Sequence, residues 1–74
     1  MKIILRVFAD FTAMAEHKSL STHDLKEQLL LGDYVATADG TAIVKDRVYF
    51  PDSDCLEINA ILDKPTEILE KEVD

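Results

Sequence analysis

One cysteine in 74 residues is the feature that most restricts what this chain can fold into. Cys55 has no partner for an intramolecular disulfide, and no metal-binding motif is present to staple a small scaffold. A chain of this length sits near the lower limit at which an apolar core stabilises a fold unaided. Two means remain: dense packing of one core, or association with another chain. Composition permits the first, since 47% of residues are hydrophobic and the pattern is not that of a disordered segment. A lone thiol also suits a reducing compartment, so the cytoplasm is the expected setting.

The chain reads as one domain over residues 1–74, without repeats, linkers or low-complexity stretches. Met1-Lys2 precedes an apolar run, but Arg6 and Asp10 interrupt it, unlike a secretory signal. No stretch approaches the ~20 apolar residues of a membrane span. Lys2 to Ala9 predicts a strand with Ile3, Leu5, Val7 and Ala9 on one face and Ile4, Arg6 and Phe8 on the other. Apolar residues on both faces point to a central or doubly covered strand rather than a wet edge. Asp10 can cap a short helix running to about Lys18.

The spacing predicts a firm helix from Thr22 to Leu31. Ser21 is a good N-cap, Leu20 and Leu25 suit a hydrophobic staple, and Leu25 and Leu29 recur at helical period. Gly32 would end it. Tyr34–Ala38 and Thr41–Val44 flank Asp39-Gly40, a hairpin signal whose two residues suit the positive φ angles of a type I′ turn. Lys45-Asp46 reads either as a second turn, with Arg47–Phe50 a separate strand, or as a bulge that directs Asp46 outward. Pro51-Asp52-Ser53-Asp54 is a loop by composition. Cys55–Leu62 alternates as a strand with one buried face, and Pro65 can open a frayed helical tail over 65–74. The expected fold is α+β, a three- or four-stranded, mostly antiparallel sheet with one firm helix packed on it. Its elements run strand, optional helix, helix, three strands, terminal helix.

Charge is distributed unevenly. Residues 1–31 carry four basic and four acidic side chains, so the whole net charge of −7 falls on residues 32–74. The basic residues are scattered singly, which argues against a nucleic-acid surface, and the acidity argues against an anionic membrane. Two glycines cannot build a phosphate-cradling loop. Asp52, Asp54 and Glu57 come nearest to a metal cluster, but the calcium-loop pattern fails at Cys55-Leu56, and turn formation explains the aspartates. Cys55 with His17 or His23 could form a nucleophile–base pair, but neither histidine lies in a nucleophile motif and nothing basic neighbours the thiol in sequence. His17 and His23 are too far apart in sequence for one helical metal site.

The acidic half accordingly reads either as a solubility device or as a surface for a basic protein partner. On the second reading Asp52, Asp54, Glu57, Glu67 and Glu70 supply the charge, and Tyr34, Tyr49 and Phe50 are the aromatic anchors unless the core claims them. The N-terminal strand and hairpin resemble those of ubiquitin-like sulfur carriers in outline. Those carriers end in a reactive diglycine, whereas Glu72-Val73-Asp74 stands here. The expected function is therefore non-enzymatic and cofactor-free. It would be a small regulator, inhibitor or accessory subunit of the kind phages and mobile elements encode. The alternatives are a small enzyme or ligand-binding domain with a site near Cys55, and a self-associating module, for instance a homodimer.

Overall fold

A computed structural model describes residues 1–65. Five strands, β1 (Lys2–Phe8), β2 (Ser21–Leu25), β3 (Tyr34–Thr37), β4 (Gly40–Phe50) and β5 (Cys55–Pro65), form one sheet in the order β2-β1-β5-β4-β3. The β1–β5 pair is parallel and the other three are antiparallel. The apolar alternation of β1 explains its place between two strands. Ile3, Leu5 and Val7 meet Leu56, Ile58 and Ala60 of β5 in register, and Ala42 and Val44 of β4 complete a continuous buried face. The opposite face of β5 is buried in part too, at Cys55 and Ile61.

This mostly-sheet architecture corrects the expected one, which had fewer strands and a firm helix. Residues 21–25 are strand β2, not the start of a helix over Thr22–Leu31. Ser21, His23 and Leu25 turn partly inward while Thr22 and Asp24 are exposed. Ser-Thr-His-Asp-Leu holds a single apolar residue, so the sequence itself offers no strand alternation there against the leucine spacing. The strand is favoured because it supplies the free side of β1, with Ile3 opposite Leu25 and Leu5 opposite His23. Leu29 still packs against the core, from the irregular segment after β2. Gly32 does adopt a positive φ of 87°, in the turn that leads into β3 rather than at a helix end.

The hairpin of β3 and β4 forms as its sequence predicts, but Ala38-Asp39 are its corner residues. Thr37 lies opposite Gly40, and of Asp39 and Gly40 only the glycine has a positive φ. Lys45-Asp46 is a bulge within an unbroken β4, not a turn. The register on β5 shifts between Val44 and Asp46, which places Asp46 opposite Asn59 and Arg47 opposite Ile58. Pro65 ends β5 instead of opening a helix; the rest of the expected tail, with Glu67 and Glu70, lies outside the described residues.

The one helix among the described residues, α1 (Phe11–Ala15), is a short piece of the expected N-terminal helix. The Asp10 carboxylate accepts from the Ala13 N–H at 2.8 Å and caps it. It closes in a Schellman motif, with the His17 N–H donating to Met14 O and the Lys18 N–H to Ala13 O. Finally, the sheet curls. Ser21 at the start of β2 donates from Oγ to Asp39 Oδ2 at 2.7 Å, joining elements from opposite edges of the strand order.

Candidate functional site

Helix α1 packs on β1 and β5 on the outer face of the curl and stands beside the far half of β4. Between them runs an open groove of about 810 Å³. The pleat decides what lines it: Arg6, Phe8, Glu57 and Asn59 form its floor because they share the outer face of β1 and β5. Val48, Phe50 and Asp46 come from β4, and Phe11 and Met14 from α1. All three phenylalanines of the chain thus line one groove. Phe8 is buried at its base, while Phe11 is 61% and Phe50 42% exposed along its walls.

The polar groups of the groove are largely matched. Arg6 Nε lies 3.4 Å from Glu57 Oε1, both half-buried. Asn59 Nδ2 donates to Asp46 Oδ2 at 3.5 Å, and the Lys45 ammonium sits 5.7 Å from the centre of the Phe11 ring. With Arg6 set against Glu57, the charges left at the groove are the Asp46 carboxylate on its rim and the Lys45 ammonium over Phe11. No protein family, no curated protein and no solved structure matches the chain. The groove must therefore be read from its own chemistry: an apolar trough with a carboxylate on its rim.

The expected site residues are brought together only in part. Phe50 and Glu57 meet in the groove. Tyr49 points to the opposite face, and its hydroxyl donates to Asp54 Oδ1 at 2.8 Å. Asp54 also contacts the terminal ammonium at 3.4 Å. That hydrogen bond from Tyr49, then the ammonium, hold the Asp54 carboxyl below its ordinary value; the same bond pushes the Tyr49 hydroxyl up, with desolvation and the Asp54 charge adding to it. Asp52 is exposed on the turn, and Tyr34 lies on β3 at the far edge. The three aromatics named from sequence are all exposed rather than core.

Cys55 is buried beside Phe50, its cross-strand partner, and no histidine is hydrogen-bonded to it among the described residues. Nor, among these residues, do three His, Cys, Asp or Glu side chains converge to hold a metal ion. Sequence reasoning missed a polar cluster at the mouth of the curl. Ser21 Oγ lies 2.9 Å from His23 Nε2 while donating its one proton to Asp39. The hydroxyl can then only accept from the imidazole, so His23 is not its base, the reverse of a Ser–His–Asp relay. The arrangement fastens two edges of the sheet. Phe11 and Met14 were also missed as groove residues, although they lie three apart in the helix that Asp10 was expected to cap.

Proposed function

We propose that this chain is a non-enzymatic interaction module, a small cytoplasmic regulator, inhibitor or accessory subunit, that binds a basic protein through the groove between α1 and β4. The convergence of all three phenylalanines beside Asp46 and Glu57 carries the reading. Exposed aromatics lining a concave surface supply the apolar anchor that affinity requires. The net charge of −7 supplies long-range attraction to a cationic partner and the Asp46 rim supplies orientation. The lone buried thiol supports the cytoplasmic setting. No helix among the described residues is long and apolar enough to cross a membrane.

The test is capture by the immobilised chain, compared across variants and salt. The double variant Phe11→Ala/Phe50→Ala is expected to release the partner, and Leu31→Ala, exposed but outside the groove, to retain it. Raising ionic strength from about 0.05 M to about 0.5 M is expected to weaken capture, because exposed charges are screened at that salt. A partner held equally by the double variant, or indifferent to salt, would overturn the proposal.

A further inference from the structure

We infer that the seam between β2 and β3 accepts an extended segment of a basic protein as an added strand. These are the two edges of the sheet, and they do not pair with each other. The curl nonetheless makes them opposite walls of one cleft of about 400 Å³, floored by Leu5 and lined by His23 and Leu25 on one side and Val35 and Thr37 on the other. The Ser21–Asp39 hydrogen bond fastens one end of the cleft.

Among the described residues no strand pairs with the outer side of either edge, and on β3 the backbone groups that face the cleft can be assigned. The Val44 N–H donates to Asp33 O at 2.9 Å, and the register continues through Val35 opposite Ala42 and Thr37 opposite Gly40. In an antiparallel ladder this alternation turns the backbone of Asp33, Val35 and Thr37 to β4 and that of Tyr34 and Ala36 to the cleft. The β3 sequence, Tyr34-Val35-Ala36-Thr37, carries no charge and no proline, so it lacks the usual protection of an exposed edge.

Charge selects the occupant. Asp24 is the one formally charged residue lining the cleft, Asp39 stands at its fastened end, and residues 21–39 as a whole hold four acids, Asp24, Glu27, Asp33 and Asp39, against Lys26. A second copy of the chain would bring the same acidic excess, whereas a strand alternating apolar and basic residues matches both faces. Its apolar side chains would cover Leu25 and Val35, and its basic ones would lie beside Asp24 on the outer face. Main-chain hydrogen bonds would give affinity, and these side chains would give selectivity.

The probe is a capped peptide of about seven alternating lysines and valines, long enough for one strand, with a glutamate–valine peptide as its control. Backbone amide shifts and hydrogen exchange report where it sits. The Tyr34 and Ala36 amides are expected to become protected, and the glutamate peptide to bind at least about tenfold more weakly. Ala36→Pro is expected to abolish binding. Asp24→Lys, an exposed change that spares the fold, is expected to weaken it roughly fivefold. The groove variant Phe50→Ala is expected to keep the peptide, so failure of the groove and failure of the seam are read separately. Any of four results overturns the inference: equal binding of the glutamate peptide, shifts confined to Phe11, Val48 and Phe50, an Ala36 amide already protected in the free chain, or protection that rises with protein concentration alone.

Discussion

His17 holds φ at 59° because it occupies the position just past the cap of a five-residue helix. A side chain there strains against its own backbone, and glycine relieves that strain. His17→Gly is expected to raise stability by about 0.5–1 kcal/mol in urea unfolding, leaving the groove in place. The Tyr49–Asp54 hydrogen bond gives a second residue-level expectation, this one in pH. The lowered Asp54 value means its contribution is present above the ordinary 3.8 and lost as pH falls through the folded value. The raised Tyr49 value means the converse: its contribution is present below the ordinary 10.0 and lost as pH rises through the folded one. Tyr49→Phe should therefore remove the alkaline loss and return the Asp54 carboxyl toward 3.8. A carbon-detected titration of Asp54 reads the second effect, and a stability profile across pH reads the first.

At the level of elements, the bulge at Val44–Asp46 decides the polarity of both faces of β4. It keeps Asp46 on the outer face, on the rim of the groove, and brings Arg47 in opposite Ile58. Arg47 then hydrogen-bonds Gln28 through its terminal nitrogen while its Nε is buried without a partner. An unmet buried donor costs about 1–3 kcal/mol, whereas the aliphatic stem packs well. Arg47→Met is accordingly expected to stabilise the fold by roughly 1 kcal/mol, seen as a higher urea midpoint with unchanged slope. Local signals account for what could be read from the sequence at this level. β1, the β3–β4 hairpin, the loop at 51–54 and β5 all show alternation or turn chemistry within a few residues, and so did the two possibilities at Lys45-Asp46. The helix assigned to Thr22–Leu31 failed because its cap, staple and leucine spacing were all locally valid. What overrode them was non-local: the unpaired side of β1, with Ile3 and Leu5 needing Leu25 and His23 beside them. The same lesson covers the groove, where Phe50 and Glu57 were legible as candidate binding residues, but their meeting with Phe11 depends on strand order.

The whole molecule has little stability to spare. A domain of this size is held by about 4–11 kcal/mol, and its core is a single layer of small and medium side chains with Ile58 and Leu5 fully buried at the centre. Ile58→Ala is expected to cost about 3–4 kcal/mol by cavity formation, a large share of that total. Thermal unfolding should show a correspondingly large drop in midpoint. The strand order bears on how the chain reaches this state. β1 pairs with β2 and β3 with β4, each ribbon built from neighbours in sequence, but the strand between the ribbons is β5, the last of the five. Arg6 and Glu57, which meet across the parallel pair, are 51 positions apart. Such long-range pairing slows folding, because chain closure comes before most of the contacts that reward it. During synthesis, therefore, the two outer strand pairs have nothing to join them into one sheet until β5 has left the ribosome.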